Sequence, residues 1–281
     1  VARAARLMAG PSPFAPFDGE DEGASARRRI PFRSIIPNLI TLLAICAGMT
    51  GVRLAFEGRF EIAVAMVLGA AALDGIDGRI ARLLKGQSRF GAEMDSLADI
   101  VNFGIAPGLL LYAHTLKEAG SLGWIAALLY ATACALRLAR FNTMLDDPHQ
   151  PKWHTGYFVG VPAPAGAGLA MLPMYLSFMG VDLGYYPATA TLSALYIVFI
   201  GLLMVSRLPT FSGKSVGIRL RRDVVVPLIL LVVLYVALLM SFLWQTLAAT
   251  AVAYFISIVF SVRSYRERAR REREHEHEHG Y

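Results

Sequence analysis

Four aspartates, Asp74, Asp77, Asp95 and Asp99, lie in a stretch flanked on both sides by apolar sequence. A carboxylate at the centre of a membrane helix costs about 2.5–3.5 kcal/mol even on a lenient insertion scale, so four of them need a compensating charge. Asp74 and Asp77 are spaced i, i+3, and Asp95 and Asp99 are spaced i, i+4, so each pair shares one face of a helix. The polar loop from Lys85 to Arg89 joins the two helices into an antiparallel hairpin and lets the pairs meet. Carboxylates this close cannot all ionise without a counter-charge. Two divalent cations supply it, and an all-oxygen donor set selects Mg²⁺ or Mn²⁺ over zinc. Paired metals of this kind clamp the attacking and leaving oxygens of a phosphoryl displacement. Arg82 suits a phosphate through its paired N–H donors, and Ser88 in the loop can hydrogen-bond the same ligand. Gly78 and Ala81 on the first face, and Gly91, Asn102 and Ala106 on the second, allow close helix approach and leave room for a ligand.

Two other readings of the same carboxylates stay open on spacing alone. One is an internal polar network with salt bridges such as Asp74 to Arg79. The other is an ion or proton pathway, which predicts acids on several separated helices rather than on one hairpin.

The elements that must position these residues are membrane helices. The 281-residue chain is 56% hydrophobic and 17% charged, against roughly 25% charged residues in soluble domains. Apolar segments fall at about 37–56, 61–84, 92–116, 121–141, 162–180, 187–206, 224–243 and 245–262. Most are long enough to cross about 30 Å of hydrocarbon. The fold class expected is therefore all-α, a polytopic membrane protein of about eight transmembrane helices. Residues 1–34 read as a mobile cytosolic arm and 263–281 as a charged cytosolic tail. The first long apolar run begins near Ile35, after an arginine cluster, and does not read as a cleavable signal peptide. With the N-terminus in the cytosol, 24 of the 27 Lys and Arg fall on the cytosolic side, leaving Arg53, Arg59 and Lys117 opposite. That imbalance orients the chain, with both termini and the aspartates facing the cytosol across a bacterial-type inner membrane. The net charge of +6 suits anionic lipid headgroups rather than nucleic acid. Cys46 and Cys134 lie in apolar segments and read as small core residues rather than a disulfide.

The residues Asp74-x-x-Asp77-Gly78-x-x-Ala81-Arg82, eight residues, then Gly91-x-x-x-Asp95-x-x-x-Asp99 resemble the signature of the CDP-alcohol phosphotransferase family at every fixed position. The resemblance implies a six-helix core (residues 35–215), followed here by two additional helices (216–262). It implies an enzyme that moves a phosphatidyl or similar group from a CDP-activated donor to an alcohol and releases CMP. It assigns the first three aspartates to metal, and Asp99 to metal or to the general base. Gly78 and Arg82 are assigned to the CDP-lipid, and Ser88 matches a spacer hydroxyl that contacts the donor in relatives. From about Ile36 to Lys214 the chain further resembles one branch, the membrane-embedded phosphatidylserine synthases, through Pro37-Asn38-x-x-Thr41, Phe90–Pro107, Leu136–Asn142 and Phe158–Gly166.

That branch implies CDP-diacylglycerol and L-serine as substrates, and relatives suggest a homodimer. Removal of the serine hydroxyl proton then falls to Asp99. Arg137 and Arg140, spaced i, i+3 beside Asn142, offer paired donors to the serine carboxylate or the donor phosphate, or else anchor the helix on the positive side. Asn38 and Thr41 either cap the first helix or touch the nucleotide of CDP-diacylglycerol. Rival readings are a sibling enzyme with glycerol 3-phosphate, inositol phosphate or choline as acceptor, and a divalent-cation transporter. Pro162, Pro164 and Pro173 are expected to start or bend the fifth helix. Trp153, Tyr157, Tyr185, Tyr186 and Trp244 read as interfacial anchors. His275, His277 and His279 alternate with Glu in a tail that reads as solvated disorder or a stray metal binder.

Overall fold

The computed structural model describes residues 32–84, 89–145, 157–181, 183, 186–206, 209–211, 222–258 and 260–261. Ser88, Lys85, Trp153, Tyr185, the amino-terminal arm and the His/Glu tail lie outside these residues.

The chain begins with an antiparallel pair, α1 (Phe32–Phe56) and α2 (Phe60–Leu83). The turn between them is a glycine-capped helix end. Gly58 has φ +78°; its N–H bonds the Ala55 carbonyl at 3.0 Å and the Arg59 N–H bonds Leu54 at 2.9 Å. This is the paired bond pattern that glycine permits at a helix carboxyl end. Small residues let the two backbones meet: a Cβ at Gly51 would lie 2.9 Å from the Ala63 carbonyl oxygen. The helix starts at Phe32, so Asn38 and Thr41 lie in its interior and do not cap it.

Residues 89–119 then form one continuous helical rod. It comprises α3 (Arg89–Asp99), a π-helical turn (Ile100–Ile105), α4 (Ala106–Leu111), a second π-helical turn (Tyr112–Leu116) and a short 3-10 turn (Lys117–Ala119). After Gly120 (φ +59°) the chain returns along α5 (Ser121–Leu145), which packs on the rod with Gly104 facing Cys134. α6 (Ala163–Ala170) and α7 (Leu172–Phe178) form a span broken at Met171, with Pro162 before it and Pro173 within its second half, as expected of these prolines. α8 (Pro187–Val205), α9 (Arg222–Ser241) and α10 (Leu243–Ile258) follow. Among the described residues four stretches, Ile35–Phe56, Phe90–Ala119, Ser121–Thr143 and Pro187–Val205, are long and apolar enough to cross a membrane. Leucines on α1, α5 and α8, and most of α9, point outward, as suits helices solvated by lipid. The protein is an all-α polytopic membrane protein.

One feature of the fold was not expected from the sequence. Tyr157–Val159 (β1) and Pro209–Phe211 (β2) pair as a short antiparallel ribbon, Phe158 opposite Thr210. The ribbon leads to Gly160, whose φ of +79° lets the chain pass closely over the carbonyls of Met204 and Ser206 at the end of α8.

Two tyrosines, Tyr130 buried and Tyr196 half-buried, answer for two prolines. In an α-helix the Phe103 carbonyl would accept from residue 107, but Pro107 has no N–H. The Tyr130 hydroxyl, fully buried, donates to that carbonyl instead at 2.7 Å. Likewise the Leu169 carbonyl, four residues before Pro173, accepts from the Tyr196 hydroxyl at 2.8 Å. Tyr130→Phe should lower stability by about 1–3 kcal/mol, the cost of orphaning a buried carbonyl. The same change made in a Pro107→Ala background, where an N–H is restored, should cost clearly less. Thermal unfolding of the four proteins in detergent measures both.

Candidate active site

The site lies where α2, α3, α1 and α5 converge. Asp74 and Asp77 stand on α2, and Asp95 and Asp99 on α3, with Asp99 at the junction with the π-helical turn. One carboxylate oxygen from each of Asp74, Asp77 and Asp95 lies within 4.8 Å of the others. Asp99 lies beside this group, within electrostatic reach of Asp74 and Asp95. The hairpin expected from the spacing therefore brings all four carboxylates together. Burial is graded: Asp77 is 2% exposed, Asp74 and Asp99 are half-buried, and Asp95 is exposed. The polar network expected as an alternative, with Asp74 paired to Arg79, is not formed; among the described residues the ion pair is Arg53 to Glu57, at 2.8 Å.

The donor set fits a divalent cation. Asp74 Oδ1 and Asp77 Oδ1 are buried and have no hydrogen-bond partner, which is costly unless a cation or proton meets them. The ligand atoms this group offers are carboxylate oxygens, the set preferred by Mg²⁺ and Mn²⁺. Beside them a Cβ built on Gly78 would have no atom within 4 Å, so the helix face next to the carboxylates is open. Arg82, one turn further along α2, is exposed.

On the opposite wall, Arg137 of α5 is 8% exposed and lies within electrostatic reach of Asp99. Its Nε has no hydrogen-bond partner, and the guanidinium carbon is 6.0 Å from the Phe141 ring centroid. The patch imagined around it is divided in the structure. Arg140 Nη1 donates to the Val205 carbonyl at 2.7 Å, holding the last turn of α8. Asn142 Nδ2 donates to Ser96 Oγ at 2.9 Å, tying α5 to α3 beside Asp95. Thr41 Oγ1 donates to Asp77 Oδ2 at 2.6 Å, with the Pro37 carbonyl as a second acceptor at 3.1 Å. Asn38 is half-buried on the same helix.

Two neighbours, Ser96 and Tyr254, have no role assigned from the sequence, and Asn102 is placed there only on the face of the second aspartate pair. Ser96 receives Asn142. Tyr254 of α10 lies within electrostatic reach of Arg137. Asn102 is fully buried on the π-helical turn, with both amide atoms unpartnered and its Oδ1 against Gly48 of α1. An amide three residues beyond Asp99 in an apolar run is visible in the sequence; a tyrosine more than a hundred residues away is not.

The profile of CDP-alcohol phosphatidyltransferases matches residues 34–263, which takes in the carboxylates, both walls and the last two helices. The chain belongs to that family. Dependence on divalent metal is general in the family, and this member carries an aspartate cluster. Similar proteins include the CDP-diacylglycerol–serine O-phosphatidyltransferase of Mycobacterium leprae, 44% identical over 193 residues that cover 68% of this chain and 63% of that one. The protein of the same name from Mycobacterium bovis is 39% identical over 234 residues, 83% of this chain and 79% of that one. That of Helicobacter pylori is 37% identical over 193 residues, 66% and 76% of the two chains.

The open face at Gly78 makes a specific prediction for this family member. Gly78→Ala should leave stability unchanged or raise it by up to about 1 kcal/mol, since alanine favours the helix, yet raise KM for the CDP-activated donor. Gly75→Ala, at a position equally free of neighbours, should give the stability gain with turnover kept. Melting temperature and donor KM, measured on both, check the pair.

Proposed function

We propose that this protein transfers the phosphatidyl group of CDP-diacylglycerol to the hydroxyl of L-serine, giving phosphatidylserine and CMP. The observation that carries the reading is the carboxylate cluster facing a buried arginine, in a chain similar to enzymes named for this reaction. Asp74, Asp77, Asp95 and Asp99 hold two divalent ions, Mg²⁺ or Mn²⁺. When bound, these neutralise the diphosphate and the carboxylates together.

The remaining roles belong to side chains. The open face at Gly78 admits the diphosphate, and Arg82 grips it from the exposed end of α2; Ser88 and Asn38 contact the same donor. Arg137, whose Nε has no other partner, takes the serine carboxylate. Asp99, within reach of Arg137, accepts the proton of the serine hydroxyl. The serine oxygen forms the new bond to the phosphorus that carries diacylglycerol, the bond from that phosphorus to the CMP oxygen breaks, and CMP leaves with the electron pair. A carboxylate beside cations is a weak base, so positioning and charge stabilisation supply most of the rate. Arg140 and Asn142 support this wall by holding α8 and α3. The acyl chains stay in the bilayer of the inner membrane and the cytidine enters from the cytosolic side, the orientation favoured by the distribution of Lys and Arg. The protein acts as a homodimer.

Purified protein given CDP-diacylglycerol, Mn²⁺ or Mg²⁺ and one alcohol at a time should release CMP with serine. CMP with glycerol 3-phosphate, inositol phosphate or choline alone would overturn the acceptor, and no CMP with any alcohol would overturn the transferase reading in favour of cation transport. Arg137→Gln should raise KM for serine roughly 10- to 100-fold, equivalent to the about 1.5–3 kcal/mol of a hydrogen bond to a charged group, with a smaller effect on KM for CDP-diacylglycerol. Equal effects on both constants would remove Arg137 from the acceptor site.

A further inference from the structure

We propose that Thr41 is a positioning residue that orients Asp77 for cation binding, rather than a contact to the nucleotide. The proposal rests on the reading of the aspartates as a divalent-cation site. Thr41 is 4% exposed and Asp77 2%, so the 2.6 Å bond between Thr41 Oγ1 and Asp77 Oδ2 is sealed in the interface of α1 and α2. Thr41 does not need Asp77 for its own sake. A threonine within a helix satisfies its hydroxyl on the carbonyl four residues back, and the Pro37 carbonyl stands ready at 3.1 Å. The shorter bond goes to the carboxylate, as expected of a charged acceptor.

The benefit falls to Asp77. The terminal torsion of an aspartate is broad and two-fold, so either oxygen can face the cluster and the group can swing between them. A donor held on Oδ2 selects one orientation. Oδ1, buried and without a partner, is then the oxygen left for a cation. The same division of labour is general at metal sites, where a hydrogen bond from outside fixes a ligand's orientation, and losing it costs about 10- to 100-fold in metal affinity. Thr41 suits the task because α1 and α2 are joined by a tight turn and close small-residue contacts, so its height relative to Asp77 is fixed.

The experiment measures Mn²⁺ binding by electron paramagnetic resonance on purified protein without donor lipid. Thr41→Val and Thr41→Ala should each weaken Mn²⁺ binding about 10- to 100-fold, and Thr41→Ser, which keeps the hydroxyl, should stay within a few-fold of wild type. KM for CDP-diacylglycerol at saturating Mn²⁺ should change little in all three. The metal-free melting temperature identifies any variant that fails to fold, and Thr41→Ala serves if Thr41→Val does. Mn²⁺ affinity unchanged in the folded hydroxyl-less variants overturns the proposal, as does a loss in Thr41→Ser equal to that in Thr41→Val. A rise in donor KM at saturating metal with Mn²⁺ affinity intact also overturns it and returns Thr41 to the nucleotide. Wild-type protein that binds no Mn²⁺ refutes the cation site itself.

Discussion

The repulsion among four carboxylates gathered inside a helical bundle is the constraint on which the rest of the structure depends. Each would be expensive alone in an apolar setting, and together they oppose one another. Among the described residues the bundle does not relieve this with internal cations: none is paired with Asp74, and Arg137 comes within electrostatic reach of Asp99. It keeps the charges close, leaves Asp74 Oδ1 and Asp77 Oδ1 without partners, and opens the adjoining helix face at Gly78. A polar cluster arranged this way is poor as a stabilising element and well suited to a bound ion.

Holding such a cluster still demands rigid walls, and the walls are made from irregular helices. Prolines, π-helical turns and helix ends leave backbone carbonyls free. Hydroxyls and guanidinium groups from other helices then meet those carbonyls: Tyr130 at Phe103, Tyr196 at Leu169 and Arg140 at Val205. Each bond crosses between elements, so satisfying the backbone also fixes how the helices sit against one another. The π-helical turn begins directly after Asp99, the kind of irregularity often found at functional sites.

Much of this was legible in the sequence, and the reason is periodicity. The spacing of Asp74 and Asp77, and of Asp95 and Asp99, implies shared helix faces, and a short polar loop implies a hairpin. The proline-started, proline-broken span at 163–178 follows from the missing N–H. What could not be read were relationships fixed only by tertiary packing. Arg140 and Asn142 stand beside Arg137 in sequence, yet their side chains serve α8 and α3. Thr41 meets Asp77 across two helices, and Tyr254 comes to Arg137 from the last one. The ribbon of Tyr157–Val159 and Pro209–Phe211 has strands of three residues each, too short for an alternating pattern to register.

The central claim is that the four aspartates together hold a pair of divalent ions. Titration of the purified protein with Mn²⁺, followed by electron paramagnetic resonance, tests it most directly. The account predicts two ions per chain whose spectrum shows spin coupling between them, with the coupled signal lost in Asp77→Asn and Asp95→Asn variants that still fold. A spectrum of isolated ions only, or a coupled signal that survives both substitutions, would contradict it.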